Sequence, residues 1–405
     1  MPEIDQSLRK NIRLLYVVRF LESAYFHDAI YVLFGVQFLH LSYFQAGSLF
    51  FIGWFVSIFL DFWGGIVADT IGRKRAQIIG LGLHTLAYVP YLFTKSYELL
   101  IIASIVEGIS WALTSNSLDA LIYEQAVEAK AEKLYKRLNA FSQIWLFMGI
   151  ALASLIGAAA YLLNPRLPYA LMIIALLLAL VAAVRISVPE KVETVVAQED
   201  RTEVKRSNLA LKTFRRHRGL AYFVIVSFFA GVVGDMLFSY YQPYYIKLDV
   251  SALTLGLLFF VIRLTSGAGS YLMHRLPDRV SPQTIQLLTI LSGLATTILL
   301  LVLKLPLVLL APLFSAVGGG FIEPNMRQYI NQHAENKARA ASLSVGSGIM
   351  NFGVGVGFVV SFYLADKFSS LAILKVILIG TVITVGLSLG SRLIIEDEPV
   401  KAAAE

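Results

Sequence analysis

Five charged side chains lie inside long apolar runs of this 405-residue chain. A charge at bilayer depth costs at least about 2.5–3.5 kcal/mol, so each such residue is a candidate for function. The five are Asp28, Glu107, Asp235, Arg263 and Glu323. A carboxyl in an apolar setting holds its proton more tightly, so it can bind a proton from one side of a membrane and release it to the other. The acidic residues therefore predict proton transfer coupled to the movement of a solute.

Polar neighbours extend this candidate pathway. His27 precedes Asp28 and titrates near neutral pH. Successive residues of a helix point about 100° apart, so these two side chains are not expected to face the same point. Tyr241 and Gln242 lie in a tyrosine-rich stretch around Pro243. That stretch either lines a binding site or forms an aromatic belt at the membrane interface.

Structural roles are the alternative for several of these charges. Arg263 could form a purely structural ion pair with Asp28 or with Asp235. Glu323 and Arg327 are four residues apart, a spacing that suits a local ion pair on one helix face. Both alternatives predict ion pairs without a part in transport.

The elements that carry these residues are apolar runs long enough to cross a membrane. The chain is 57% hydrophobic and 15% charged, whereas soluble domains are about 45–50% apolar and about 25% charged. We expect spans at 13–38, 44–67, 76–94, 98–122, 140–163, 167–187, 219–245, 252–274, 283–303, 306–328, 340–364 and 371–394. Lipid offers no partner for open backbone groups, and the runs are too long for barrel strands. The predicted fold is therefore all-α, with 12 transmembrane helices.

The basic residues indicate the topology. They cluster in alternate loops, as at residues 73–75, 130–137 and 201–218. The positive-inside rule then places both termini on the cytoplasmic side of the cell membrane. The stretch 189–218 is the long polar segment, and it predicts a cytoplasmic linker with a possible amphipathic helix. It separates an N-terminal six-helix bundle, 1–188, from a C-terminal one, 219–405.

A weak internal repeat supports the division into halves. The residues around Asp28 align with those around Asp235, and Asp119 lies near the place of Glu323. With the spacing kept, Asp69 falls on residue 278. Repeated halves are typical of secondary transporters, whose substrate site lies near mid-membrane between the repeats.

The loop after the second span carries the most specific motif. Residues 65–75 read Gly-Ile-Val-Ala-Asp-Thr-Ile-Gly-Arg-Lys-Arg. We expect Gly65 to let helices approach closely and Gly72 to permit a tight turn with positive φ. Asp69 is placed to pair with Arg73 or to face a helix N-terminus. The alternative is that the loop has no gating role and is only a tight basic turn that fixes the membrane topology.

This loop resembles the G-x-L-A-D-[RK]-x-G-[RK]-[RK] signature of the major facilitator superfamily, with Val67 and Thr70 as departures. Residues 61–65 and 115–124 are similar to two further stretches of prokaryotic members. The resemblance implies two pseudo-symmetric six-helix bundles in which spans one, four, seven and ten line a central cavity. It also implies a gating loop whose Asp69 docks on the start of span eleven. We expect gating or packing roles for these residues: Gly65, Asp69, Gly72, Arg73, Arg75, Asp61 and Asp119.

Two departures weaken a likeness to the proton antiporters of that family. Ser104 stands where those proteins often carry an arginine in span four, and no proline lies between Gly149 and Gly157 in span five. Four deep acids could nevertheless attract cations, so the leading hypothesis is proton-coupled efflux of an amphipathic compound. Uptake or facilitated diffusion of a polar metabolite is the first alternative. A membrane sensor or scaffold that transports nothing is the second.

Composition and missing motifs exclude other classes. The chain has no cysteine, so it has no disulfide or thiolate metal site. It lacks H-E-x-x-H and nucleotide-binding glycine loops, which argues against an enzyme, an ATP-driven pump, a metal and a cofactor. The net charge of +7 lies in short loops and reflects topology rather than nucleic-acid binding. The expected partners are a small-molecule substrate, protons and the lipid bilayer, with the chain as a monomer.

Overall fold

The computed structural model describes residues 6–115, 117–128, 132–187, 213–273, 280–334 and 338–396. Every regular element within these ranges is helical, and the helices form twelve spans. The first six spans are Gln6–Glu22 with Tyr31–Leu33 and Phe34–Phe38; Tyr43–Ile71; Arg73–Phe93; Tyr97–Thr114 with Ser117–Glu128; Glu132–Leu163; and Leu167–Val184. The last six are Arg218–Ile246; Ala252–Met273; Pro282–Val302; Leu307–Leu310 with Pro312–Gly319 and Ile322–His333; Arg339–Lys367; and Ser370–Glu396.

The outer surfaces of these helices suit lipid. Eleven stretches among the described residues, in spans two to twelve, are long and apolar enough to cross a membrane. Large apolar side chains such as Phe59, Phe93 and Leu163 are mostly exposed, which is costly in water but favourable in a bilayer. The predicted all-α, twelve-span membrane fold is confirmed.

Span one is not the continuous helix predicted over residues 13–38. Its first helix ends at Glu22, residues 23–30 form turns, and a helix resumes at Tyr31 and becomes a π-helix over Phe34–Phe38. Serine side chains can compete with the helix for backbone hydrogen bonds. Ser23 does so directly, because its hydroxyl donates to the carbonyl oxygens of Arg19 and Phe20. Broken transmembrane helices are tolerated where the freed backbone is covered by protein or lines a cavity.

Spans four and ten are also interrupted. Span four divides after Thr114, and span ten divides after Gly319. Each second helix begins with an acidic residue in its first turn, Asp119 in span four and Glu323 in span ten. The interruptions therefore fall at matching places of the predicted repeat.

Two compact units account for the chain. The first comprises Met1–Glu199 with Tyr245–Leu264, and the second comprises Asp200–Tyr244 with Thr265–Glu405. The first unit thus includes the beginning of span eight. Most of the predicted linker, residues 189–212, lies outside the described residues. The predicted second copy of the gating loop, at 277–279, lies outside them as well.

Candidate functional site

The broken stretch of span one holds an ion pair in the first unit. Arg263 of span eight donates from Nη2 to Oδ1 of Asp28 at 2.8 Å and from Nε to Oδ2 at 3.0 Å. Ser154 of span five adds a hydroxyl donor to Oδ2 at 3.3 Å. Both charged side chains are largely covered, with 16% of Asp28 and 26% of Arg263 exposed. Two parallel bonds fix both position and orientation, so Asp28 is tied to spans five and eight.

Glycines in span five let the broken stretch approach closely. A Cβ at Gly157 would overlap the carbonyl oxygen of Phe26, and a Cβ at Gly149 would meet the carbonyl oxygen of Phe20 at 2.6 Å. Small residues at helix interfaces allow such backbone approach in membranes. The path of residues 23–30 is therefore set partly by main-chain packing on span five.

A second polar cluster in the first unit surrounds Glu107 of span four. The hydroxyl of Tyr88 donates to Oε1 of Glu107 at 2.5 Å, and Nε2 of His84 lies 3.7 Å from the same oxygen. Nε2 of His27 lies 3.4 Å from the Tyr88 hydroxyl. Glu107 and His84 are buried. Four groups that can carry or pass a proton thus lie in one connected cluster.

This cluster borders a cavity of about 30 Å³, counted for the centre of a water molecule. That volume admits about two waters. Aromatic rings dominate its wall, and Tyr169 stacks on both Tyr91 and His27, with ring centroids 4.6 Å and 5.4 Å apart. The lining residues are His27, Tyr31, Phe34, Gly35, Leu39, Ala46, Leu49, Phe50, Tyr88, Tyr91, Glu107 and Tyr169. Span one contributes four of them, and Leu39 follows directly after its end, so the conformation of this span affects the size of the cavity.

His27 and Asp28 point to different places, as predicted. His27 lines the cavity, whereas Asp28 faces Arg263 and Ser154. The geometric reason differs from the expected one, because both residues lie in turns rather than in a helix. Asp28 and Glu107 therefore belong to two separate polar groups within the first unit.

The second unit surrounds its candidates differently. Asp235 lies in the unbroken span seven and accepts a hydrogen bond from Ser239, one turn later, at 2.9 Å. The structure gives Asp235 no ion-pair partner among the described residues. Glu323 and Arg327 form the predicted local ion pair at 2.8 Å, with more than half of each side chain exposed.

The tyrosine-rich end of span seven is buried, so its interpretation as an interfacial aromatic belt is wrong. Tyr241 is 1% exposed and Gln242 is 2% exposed. The Tyr241 hydroxyl shares a 2.6 Å hydrogen bond with Ser315 of span ten. The helix runs through Pro243 to Ile246. These side chains pack inside the protein instead of meeting headgroups.

The loop between spans two and three has the predicted turn and ion pair. Gly72 adopts φ = 92°, a conformation that glycine allows without strain. Arg73 lies 3.2 Å from Asp69 and 3.4 Å from Glu124 of span four. Arg75 is exposed.

The expected role of Gly65 in close helix packing is wrong. A Cβ there would meet nothing within 4 Å, whereas one at Gly64 would overlap the carbonyl oxygen of Ala112 in span four. One residue turns a helix by about 100°, which brings Gly64 rather than Gly65 to face span four.

The remaining gating candidates contact other spans of the first unit. Asp61 accepts a 2.6 Å hydrogen bond from Ser115, at the interruption of span four. Asp119, just after that interruption, forms an ion pair with Arg19 of span one. Both acids are therefore held at the place where span four is divided.

Sequence reasoning missed His84, Tyr88 and Ser154. His84 and Tyr88 lie four residues apart on span three, in an apolar run where an aromatic or polar residue carries no distinguishing signal. The four-residue spacing places both on one helix face, but only the fold brings them to Glu107. Among the described residues, no group of three or more His, Asp or Glu could hold a metal ion.

Comparisons with known proteins agree with this architecture. A family model described as Major Facilitator Superfamily matches residues 15–361. Among solved structures, the nucleoside transporter NupG is similar, with 13% identity, 97% of this chain and 100% of that chain covered, and a TM-score of 0.76. A D-xylose-proton symporter has 18% identity, 98% coverage of both chains and a TM-score of 0.69. A search of curated proteins by sequence gave no match. The family match spans most of the chain, which therefore belongs to the Major Facilitator Superfamily.

Proposed function

We propose that this chain is a secondary transporter that moves a small organic solute across the cytoplasmic membrane by alternating access, coupled to protons. It would act as a monomer with both termini in the cytoplasm. The observation that carries the proposal is the position of Glu107, a buried carboxyl bonded to Tyr88 at the wall of an aromatic cavity. A titratable group inside a membrane span is a functional candidate by default.

Coupling would arise because one cavity wall holds both the proton site and solute-binding surface. Protonation of Glu107 removes a charge from that wall and changes its affinity for a charged or polar solute. By linkage, bound solute changes the proton affinity by the same factor. His84 and Tyr88 contact the carboxyl, and His27 lies between Tyr88 and the stacked rings. Together with Glu107, which itself lines the cavity, they form a group of side chains among which a proton can pass.

Asp28 and Asp235 would have separate roles in this proposal. Arg263 neutralises Asp28, so proton binding at Asp28 requires the ion pair to open. Asp235 has only a hydroxyl donor among its described contacts, so it can bind a proton without losing a cation. Asp235 is therefore the second proton-binding candidate, and Asp28 is a candidate for a contact that changes during the cycle.

The cavity lining favours a solute with a flat or cationic apolar part. Aromatic faces attract cations and stack on rings, and Glu107 supplies a negative charge when ionised. The lining therefore supports an amphipathic cation as the solute, and export is the direction that we propose for it. The cavity admits only about two waters, so entry of a solute requires the wall to move. The second part of span one, with Tyr31 and Phe34, follows the break and is the candidate moving element.

Uptake of a polar metabolite is the second candidate. The rings of Tyr91 and Tyr169 are parallel to within 5° and stack on each other. A nucleobase or the apolar face of a sugar would take the place of one such ring contact when the cavity wall moves. The two similar solved proteins are named a nucleoside transporter and a D-xylose-proton symporter.

Reconstituted protein tests both candidates. Liposomes containing a trapped pH-sensitive dye and an imposed pH gradient would receive ethidium, uridine or D-xylose, and proton flux would be recorded together with solute uptake. We expect one solute to move protons, and we expect Glu107→Gln to abolish the pH-driven part. The matched control is Glu98→Gln, an exposed carboxyl at the start of the same span that accepts a hydrogen bond from Ser96.

Two outcomes contradict the proposal. Solute transport that keeps its pH dependence in Glu107→Gln and in Asp235→Asn would show that these carboxyls do not couple protons. The absence of transport for a broad solute panel, with binding retained, would instead support a sensor.

A further inference from the structure

The second unit contains a small polar cavity between spans seven, nine and ten. Its volume is about 10 Å³, counted for the centre of a water molecule, which is close to the space that one water needs. The lining residues are Ser227, Ala230, Gln286, Thr289, Ile322 and Asn325. None of them is charged, and four of them carry polar side chains.

Hydrogen bonds fix the orientation of the two side-chain amides. Nε2 of Gln286 donates to the hydroxyl of Ser227 at 2.9 Å and to the carbonyl oxygen of Phe223 at 3.3 Å. Nδ2 of Asn325 donates to the carbonyl oxygen of Pro282 at 2.9 Å. A carbonyl oxygen only accepts, so neither amide can be turned over without losing its bond. Each side-chain oxygen must therefore point away from these partners.

Three oxygens at this cavity have no hydrogen-bond partner among the described residues. They are Oε1 of Gln286, Oδ1 of Asn325 and Oγ1 of Thr289, and all three atoms are buried. Gln286 is 6% exposed and Asn325 is 3% exposed. Buried polar groups in native proteins are almost always satisfied, by protein or by ordered water. Inside a membrane, bulk water is not available to satisfy them.

We propose that this cavity binds one ordered water molecule that bridges spans seven, nine and ten. The water donates one hydrogen to Oε1 of Gln286 and the other to Oδ1 of Asn325, and it accepts a hydrogen bond from the Thr289 hydroxyl. These three bonds match the usual number for a buried water. They also give each of the three buried oxygens a hydrogen-bond partner.

A water fits this site better than a cation does. The lining has two amide oxygens and two hydroxyls but no carboxylate, so a sodium or potassium ion would be buried without a compensating charge. The nearest acid along span ten, Glu323, is exposed and paired with Arg327. A neutral donor therefore matches the chemistry of the lining.

The water would hold the second helix of span ten in place. Asn325 and Ile322 lie in the first turn of that helix, just after the interruption at Gly320 and Phe321. Because the helix is interrupted there, its direction depends on side-chain contacts more than it would in a continuous span. The bridge joins it to span nine through Gln286 and Thr289, and to span seven through the Gln286–Ser227 bond.

Replacing Thr289 by valine tests the proposal, because a bound water and a dry cavity predict opposite changes in the melting temperature. Valine keeps the shape and removes the hydroxyl. If a water is bound, Thr289→Val removes the donor to that water and lowers the melting temperature of the purified protein by about 2 °C. If the hydroxyl is unpaired in a dry cavity, the same change removes a buried unsatisfied group and raises the melting temperature. Thr289→Ser keeps the hydroxyl and should stay closer to the parent.

Thr297→Val is the matched control for Thr289→Val, because the Thr297 hydroxyl is buried in the same helix and donates to the Gly293 carbonyl oxygen at 2.9 Å.

Two further measurements identify the occupant. A high-resolution density map should show a peak about 2.7–3.2 Å from all three oxygens. Melting temperatures in sodium chloride and in choline chloride of equal concentration should agree. A saturable increase with sodium that Asn325→Leu abolishes would overturn the water assignment in favour of a cation.

Discussion

Spans one and seven occupy matching places in the repeat, yet each treats its aspartate differently. Span one breaks at residues 23–30 and gives Asp28 two bonds from Arg263. Span seven runs unbroken from Arg218 to Ile246 and gives Asp235 a single described partner, the Ser239 hydroxyl of its own helix. Equivalent positions therefore hold one carboxylate neutralised by a cation and one for which the described part of the chain provides no cation. An alignment of the halves identifies such positions but does not assign them the same role.

Loss of charge at the two aspartates should have unequal effects on stability, and this is the largest difference we expect. Asp28→Asn removes the counter-charge of Arg263, whose side chain stays largely covered. Removing one partner of a buried ion pair in this way should lower the free energy of unfolding by about 3 kcal/mol. Asp235→Asn keeps an oxygen for Ser239 and should change the free energy of unfolding by less than about 1 kcal/mol. Denaturant titration in detergent measures both.

A double variant sharpens this first comparison. Asp28→Asn with Arg263→Gln removes both charges, so it should be more stable than Asp28→Asn alone. Asp249→Asn is the control, because Asp249 is exposed in a loop with φ = 55°, which asparagine tolerates. Equal losses at Asp28 and Asp235 would contradict the difference that we draw between the spans.

The glycines that pack on the two spans give the next largest effect. Gly157 of span five meets the carbonyl oxygen of Phe26, and Gly357 of span eleven meets that of Val232 in span seven. Alanine at either position forces the backbones apart and should cost about 2 kcal/mol. We expect Gly157→Ala also to disturb the cavity, because the broken stretch carries His27. The control is Gly82→Ala inside the helix of span three, whose new methyl group meets nothing within 4 Å and should stabilise the protein by up to about 1 kcal/mol.

Removal of a tyrosine hydroxyl should have a smaller effect, again unequal between the units. Tyr88→Phe deletes the bond to the Glu107 carboxyl and should cost about 1.5 kcal/mol. Tyr241→Phe deletes the bond to Ser315, which also donates to the Pro312 carbonyl oxygen, and should cost about 0.5 kcal/mol. Only Tyr88→Phe should alter the pH dependence of transport. A pH profile unchanged in Tyr88→Phe would remove that hydroxyl from the proton path.

Two further ion pairs should have the smallest effects, because Arg73 keeps Glu124 as a second partner and the Glu323–Arg327 pair is exposed. Asp69→Asn weakens the contact with Arg73, where about a quarter of each side chain is exposed. A single contact of this kind is worth at most about 1 kcal/mol. The ratio of inward-open to outward-open states, measured by spin-label distances, should therefore change by about fivefold or less. Glu323→Gln, with its pair more than half exposed, should shift nothing. If the two variants behave alike, the loop between spans two and three fixes topology only.

Local rules predicted much of the fold and part of the site. Apolar runs of crossing length identified the spans. A four-residue spacing indicated the pair Glu323–Arg327, and pairing with Arg73 was one of two alternatives for Asp69. The turn at Gly72 followed from the need for positive φ. Each of these depends on residues close together in sequence, which is why the sequence alone was sufficient.

Long-range contacts were harder to predict. Asp28 and Arg263 are 235 residues apart, so their ion pair was only one alternative among several. The break in span one contains neither proline nor glycine, and the glycines that accommodate it lie in span five. The Glu107 cluster depends on His84 and Tyr88, which in sequence are ordinary residues of an apolar run. The partners of these groups are decided by helix packing rather than by spacing.

Because Gly157 contacts the carbonyl oxygen of Phe26, the backbone path of the broken stretch does not depend on which side chains that stretch carries. The path depends on a missing side chain in span five and on a main-chain oxygen that every amino acid at position 26 would supply. Substitutions at His27, Tyr31 or Phe34 can therefore alter the chemistry of the cavity wall while the backbone keeps its course. A transporter built in this way can acquire a new cargo through a few side-chain replacements, without first having to evolve a new way of folding.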